Sequence, residues 1–368
     1  MATPRTTILL IGATGYIGGS VLTHLLAHSN AKSLDITALI RSEEKAKKLE
    51  QFGVKAVIGS YGEVDKLESL AEQSQVVFSC ADADNLAAID AILRGLKRRH
   101  ASAGIPPILI HTSGTGTLAE LANGMYATET IYSDLNVEQI KAIPPAALHR
   151  NVDLAVVKAD EEGYARTYIV LPSTVYGVAD NALVKAGVAN SLSQQIPDII
   201  RASIGRGQGG MVGEGKAIWP NVHIDDVAEL YVTVFNAALN NSEGTGHGWG
   251  GFYFGENGEH TWYDISKAVS VAMVELDIGG TDEPTTFTKE ELIKFWHDEL
   301  VGNYSGSTAR CRADRGRAIG WKPRYTTADM IASIKPEVEL LWKKAEQEGG
   351  VKLRVPEVVA AMRAQNAD

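Results

Sequence analysis

The sequence predicts an α/β fold: a doubly wound parallel sheet, followed by a smaller and partly helical C-terminal substrate lobe. Three observations carry this expectation. Short apolar runs alternate with helical patterns through the first half of the chain. Several runs are apolar throughout, as expected when a parallel strand is covered on both faces. The first run ends in a glycine-spaced turn that opens directly into a helix.

The strands are expected at residues 7–11, 35–40, 55–58, 76–80, 108–111 and 167–171. Each is a run short enough for a strand and bounded by polar or glycine-rich residues. Helices fill the gaps at 19–28, 43–52, 64–72, 86–100 and 152–164. In the fourth, Leu86, Ile89, Leu93 and Leu96 recur at helical spacing. Residues 114–148 break the rhythm with Gly, Thr, Ala and Pro, and read as a functional loop able to close as a lid. Beyond residue 176 the alternation fades. Residues 205–215 hold six glycines and read as a mobile loop. Residues 224–237 and 262–276 look helical, 251–255 looks like a strand, and 335–347 and 356–365 read as polar-faced helices. The expected division is a dinucleotide-binding domain over 1–175 and a substrate lobe over 176–368, with 221–276 returning to the core.

Composition narrows the function. The chain has 368 residues, 45% of them apolar and 22% charged, so it buries a large core without disulfide or zinc staples. A formal net charge of −10 argues against a nucleic-acid surface. No apolar run reaches the roughly 18–20 residues needed to cross a bilayer, and the start lacks the pattern of a signal peptide. The two cysteines, Cys80 and Cys311, have no metal spacing, and a reducing cytoplasm is the expected compartment. Cys80 reads as core packing. A small-molecule substrate is expected, with neither nucleic acid nor membrane as partner. Assembly is left open, a homodimer included.

The strongest motif is Gly12-Ala13-Thr14-Gly15-Tyr16-Ile17-Gly18 after the first strand. Glycines there let a pyrophosphate approach backbone N–H groups, and the following helix directs its positive dipole end at the phosphates. In this place it marks a Rossmann-type dinucleotide site. The second strand ends Ile40-Arg41-Ser42, without the acid that usually holds a ribose 2′-hydroxyl. Arg41, with the Ser42 hydroxyl, suits a 2′-phosphate instead, which favours NADP(H) over NAD.

Four segments together resemble the extended and atypical short-chain dehydrogenase/reductases, the group of nucleotide-sugar epimerases, 3β-hydroxysteroid-type enzymes and NmrA-like proteins. They are the glycine turn, Thr112-Ser113-Gly114, the run from Leu171 to Gly177, and the run from Val222 to Ala228. The resemblance extends to about residue 275. It implies that Gly12, Thr14, Gly15, Tyr16, Ile17 and Gly18 hold the pyrophosphate. Ala81 and Asp82 would line a ribose or the nicotinamide, Thr112 would adjoin the cofactor, and Pro172 and Val175 would border the nicotinamide. Ser113 would be the catalytic Ser/Thr, and residues 223–226 would brace the substrate lobe.

The chemistry departs from that pattern. Family members carry Tyr-xxx-Lys ahead of the sixth strand, with tyrosine the acid/base and lysine lowering its pKa. Counting back, the lysine place falls near His149 and the tyrosine place near Pro145, and neither matches. Tyr263-xxx-Lys267 has the spacing but the wrong place, and reads as a helix start. Replacement proton donors are Tyr126 and Tyr132 from the loop, Tyr176 after the sixth strand, and His149. His24 and His28 have i, i+4 spacing without a third ligand, so no metal is expected. Asp225-Asp226 reads as a helix cap. The expected function is NADP(H)-dependent reduction of a carbonyl or related C=X bond on a small metabolite. A redox-neutral epimerase or dehydratase, and a non-catalytic NmrA-like dinucleotide sensor, are the alternatives.

Overall fold

A computed structural model describes residues 5–242 and 244–353. Its centre is a sheet of seven strands: β1 (Thr6–Ile11), β2 (Leu34–Ile40), β3 (Lys55–Ile58), β4 (Val76–Ser79), β5 (Ile108–Thr112), β6 (Arg166–Pro172) and β7 (Phe252–Gly255). The spatial order is β7-β6-β5-β4-β1-β2-β3, with every neighbouring pair parallel. Buried residues such as Leu9, Leu10, Val77, Phe78, Leu109 and Ile110 explain why the central strands are apolar on both faces. The order reverses between β1 and β4, and crevices at such a switch point are where sheets of this kind take ligands.

Helices Tyr16–Leu26 and Ile224–Asn240 pack together on one side of the sheet. His24 Nδ1 meets Glu229 at 3.3 Å and His28 Nε2 meets Asn236 at 3.0 Å, both across this helix pair. Both histidines meet helix Ile224–Asn240, His24 from within the first helix and His28 from just past its end. Helices Leu86–Ala103 and Arg150–Glu161 also pack together. The basic end of the former pairs outward, Arg98 with Glu68 and Lys97 with Glu162.

The C-terminal lobe is a three-stranded sheet of Thr174–Tyr176, Ile218–His223 and Glu259–Thr261, flanked by helices Gln195–Arg206, Trp262–Glu275 and Thr327–Glu348. The last helix starts well before residue 335, because Thr326 and Asp329 form a reciprocal capping box. The expected helix at 356–365 lies outside the described residues. The six-glycine stretch is built into packing rather than left as an open loop. A Cβ on Gly209 would lie 1.9 Å from Ser270 Oγ, and one on Gly210 would lie 2.2 Å from the Phe287 ring. Residues 114–148 are stitched to segments beyond residue 300 and to β7. Glu120 bridges to Thr308, Tyr132–Ser133 pairs with Cys311–Arg312, and Asp134 accepts from the Phe254 and Arg315 amides.

Between strands and lobe, residues 223–226 form a brace. His223, not an aspartate, caps helix Ile224–Asn240 by accepting from the Asp225 amide at 3.2 Å. Its ring stacks on Tyr325 at 3.8 Å. Asp226 accepts from the Arg324 and Tyr325 amides, both at 2.9 Å. The acid therefore ties down a distant turn.

Candidate active site

The glycine turn brings helix and strand backbones into close contact and leaves space at its middle. Gly12 has φ +89°, and a Cβ there would lie 2.3 Å from the Cys80 carbonyl oxygen. A Cβ on Gly18 would lie 2.3 Å from the Gly12 carbonyl oxygen. Both glycines let helix Tyr16–Leu26 sit directly on the strand ends. Gly15 differs: a Cβ there would meet only the Gly12 oxygen, at 3.1 Å, and otherwise open space. The helix has no side-chain cap and no acid in its first turn. Its amino end thus offers unmatched N–H groups and positive dipole to an anion, which fits the pyrophosphate of a dinucleotide.

Other residues expected around the cofactor take varied places. Thr14 uses its carbonyl to hold the Asn190 amide at 3.1 Å, and Ile17 is half-buried on the same helix. The Tyr16 hydroxyl is buried and donates to the carbonyls of Tyr176 and Gly177, so that side chain braces the end of strand Thr174–Tyr176. Arg41 is exposed, with no ion pair among the described residues, whereas Ser42 Oγ caps the next helix by accepting from Lys45. The Thr112 hydroxyl turns into the core, 2.7 Å from that of Tyr231. Pro172 ends β6 beside Gly255, and half-buried Val175 pairs with Val222. Past β4, Ala81 leads into an Asx turn in which Asp82 accepts from the Asp84 amide at 3.0 Å. Asp82 is therefore engaged in shaping the loop, and the carboxylate presented beyond it is that of Asp84.

The chemical cluster lies at the end of β5. Asp84 Oδ1 and His149 Nδ1 are 2.8 Å apart, with side chains only 19% and 16% exposed. His149 precedes helix Arg150–Glu161 in a left-handed conformation, φ +66°. Its Nε2 faces Gly114 and Gly116: a Cβ on either would lie 3.3 or 3.5 Å from it. One turn into the helix, Asp153 is fully buried and accepts from Ser113 Oγ at 3.2 Å. Its other oxygen has no partner among the described residues. Burial outweighs the pull of His149 and Ser113 and pushes the Asp153 carboxyl up to about 7. His111, two residues before Ser113, is buried with neither ring nitrogen partnered among the described residues. Burial, then His149, push its pKa down to about 3, so it is neutral.

His149-xxx-Asp153 thus has the spacing of the absent Tyr-xxx-Lys, with Asp153 on Ser113. It lies one helical turn further along than counting back from β6 suggests, because a tight turn through Gly163, φ +78°, joins helix and strand. Sequence reasoning singled out Ser113 and His149 but missed Asp84 and Asp153. The i, i+4 spacing of His149 and Asp153 was a readable signal. Nothing in the sequence marked Asp84 as the partner of His149.

The tyrosine candidates do not join this cluster through any contact. Tyr126 is 49% exposed on the loop, and Tyr132 sits in the pairing with Cys311. Tyr176 is buried and its hydroxyl is taken up by the Thr326 carbonyl at 2.8 Å, which makes it a wall residue. Tyr263 and Lys267 are both tied to Glu283 at the surface. Among the described residues no cluster of three or more His, Cys, Asp or Glu is arranged to hold a metal, and no helix is long and apolar enough to cross a membrane.

Fold and glycine turn define the class: a Rossmann-fold protein resembling the extended and atypical short-chain dehydrogenase/reductases. Comparison with known proteins agrees. Residues 4–98 match the model of the NmrA-like family. The oxidase ucsJ of Acremonium sp is 28% identical over 335 residues, 86% of this chain and 92% of that protein. A 4-hydroxy-2-methyl-3-oxo-4-farnesyl-3,4-dihydroquinoline-1-oxide ketoreductase of Stigmatella aurantiaca is 26% identical, over 59% of this chain and 61% of that protein. Among solved structures, the dTDP-glucose 4,6-dehydratase of Bacillus anthracis superposes with TM-score 0.60 at 15% identity, covering 93% of this chain and 98% of that one. The UDP-glucose 4-epimerase of Thermotoga maritima gives 0.60 at 14%, covering 92% and 99%. At such identities the structural likeness establishes the fold.

Proposed function

We propose that the protein is an NADP(H)-dependent oxidoreductase that reduces a carbonyl, or a related C=X bond, of a small organic metabolite. The observation that carries this reading is the Asp84–His149 pair beside Ser113 at the end of β5, two strands from the glycine turn. A nicotinamide dinucleotide, when bound, supplies the hydride from C4 of its ring. The chain's residues do the rest. Gly15 with the first helical turn holds the pyrophosphate, on a turn that Gly12 and Gly18 let close against the strands, and Arg41 grips the 2′-phosphate. Asp84 accepts Nδ1–H of His149, which fixes the ring and aims Nε2 at the substrate. His149, as imidazolium, delivers the proton to the substrate oxygen, and Ser113 donates a hydrogen bond to the same oxygen as charge grows there. The redox names of the Acremonium and Stigmatella relatives support the reading.

The test is NADPH consumption by purified protein on a panel of aliphatic ketones, aromatic ketones and quinones. Wild type is expected to turn over at least one class, with Ser113→Ala lowering kcat about 100-fold and leaving NADPH affinity unchanged. Arg41→Ala is expected to weaken NADPH binding about 10- to 100-fold and leave NADH binding nearly unaltered. A wild-type protein that consumes no NADPH on the whole panel refutes the reductase reading. Tightly retained NAD in that protein would point instead to redox-neutral epimerase or dehydratase chemistry.

A further inference from the structure

We propose that Tyr304, brought in by the C-terminal lobe, is a further catalytic residue whose hydroxyl shares one substrate oxygen with His149, in the narrow notch beside Gly114 and Gly116. This rests on the reductase reading above. It identifies the phenol that the chain lacks at the usual place.

Two glycines define the notch. A Cβ on Gly116 would lie 2.6 Å from the Tyr304 hydroxyl, 3.0 Å from Leu148 Cδ2 and 3.5 Å from His149 Nε2, and a Cβ on Gly114 would lie 3.3 Å from the same nitrogen. The phenol and the imidazole therefore converge on one small volume, directly after Ser113. Tyr304 ends helix Glu299–Tyr304, and its ring is held edge-on to Trp219 at 5.9 Å. The turn after it is pinned hard: Trp219 and Trp262 both donate their indole N–H to the Ser307 carbonyl, at 2.6 and 3.0 Å. The Tyr304 hydroxyl itself makes no hydrogen bond among the described residues. So much apparatus positions a phenol whose polar end is left for something else.

Burial, and the charge of Asp84, hold the Tyr304 phenol well above its ordinary pKa. It stays protonated, and donates a hydrogen bond rather than taking a proton. The roles then divide. A bound reduced nicotinamide would supply hydride to the carbonyl carbon and be oxidised; the C=O π pair would move to oxygen, and the Nε2 proton of His149 would form the O–H bond. Tyr304 keeps its proton throughout and stabilises the oxygen while charge is on it.

The experiment compares wild type, Tyr304→Phe and Gly116→Ala. Phenylalanine keeps the ring against Trp219, so the melting temperature and NADPH affinity are expected to hold, while kcat on the best panel carbonyl falls about 100-fold. Gly116→Ala fills the notch and is expected to raise KM or abolish turnover with NADPH binding retained. A second arm needs no turnover: binding of acetophenone to the NADP+-loaded protein, followed by NMR saturation transfer, is expected to weaken about 10-fold in Tyr304→Phe. Equal turnover and equal acetophenone binding in Tyr304→Phe overturn the assignment. A wild type that turns over nothing sinks the reductase reading instead, and the binding arm still decides whether Tyr304 touches a carbonyl oxygen. Acetophenone failing to bind wild type counts against Tyr304 as well.

Discussion

Asp153 carries the sharpest consequence of the site at the scale of single residues. An ionised Asp153 accepts the Ser113 hydroxyl proton, whereas a neutral Asp153 donates to Ser113 Oγ and turns the serine proton outward. Its carboxyl is pushed up to about 7 by burial, so the neutral form is present below that pH and lost above it. Activity is therefore expected to fall as pH rises through about 7. In Asp153→Asn the alkaline fall of kcat/KM should involve one proton fewer, which a pH–rate profile measures. An unchanged profile would detach Asp153 from the chemistry. Sequence reading reached Ser113 and His149 from their places along the chain. It did not reach Asp84 or Tyr304, because their relation to His149 exists only after the β4 loop and the C-terminal lobe have folded onto it. Asp82 drew attention by its place, yet its carboxylate is engaged in the turn that presents Asp84.

Elements explain which glycines serve the fold and which serve the ligand. In the turn between β1 and helix Tyr16–Leu26, a Cβ on Gly18 meets the Gly12 backbone, while a Cβ on Gly15 meets mostly open space. Gly18→Ala must push helix from strand, and is expected to destabilise the protein by roughly 1–3 kcal/mol. Gly15→Ala is expected to leave the melting temperature nearly unaltered and to weaken NADPH at least 10-fold, since the methyl enters the phosphate seat. Thermal melts and fluorescence titrations separate the two; matched effects in both variants would remove the distinction. The strands of the main sheet were legible to within a residue at either end, the central ones because they are apolar runs buried on both faces, and the partly exposed edge strand β3 because the alternation with helices continues through it. Two-residue strands such as Gly210–Met211 and Tyr132–Ser133 were not, because nothing so short carries a period. The six-glycine stretch misled for a related reason: glycine marks close approach as well as freedom, and here it admits Phe287 and Ser270.

The whole molecule joins a sheet that alternation made readable to a lobe assembled from distant segments. Glu337 in helix Thr327–Glu348 shows what that assembly costs. Its carboxyl is buried with no partner to either oxygen among the described residues, and burial, against the pull of Arg201, pushes it up to about 7. The native state prefers the neutral form, so stability is full below the unfolded value of about 4.5. It is lost progressively up to about pH 7, by on the order of 3 kcal/mol. Glu337→Gln is expected to melt with wild type at pH 4 and several degrees above it at pH 8; equal melting at both would show that the carboxyl is solvated or paired.

The proposed phosphate seat at the glycine turn and the proposed proton donor at the end of β5 belong to one reaction only if a bound NADPH passes hydride to a substrate carbon beside His149. Deuterium at C4 of NADPH, followed into the product by mass spectrometry, reads that crossing directly. Wild type is expected to deliver the label to the carbonyl carbon. His149→Asn, a residue that tolerates the left-handed backbone at that position, is expected to bind NADPH as before and transfer the label about 100-fold more slowly. Label that never leaves the cofactor, or a variant as fast as wild type, would contradict the mechanism.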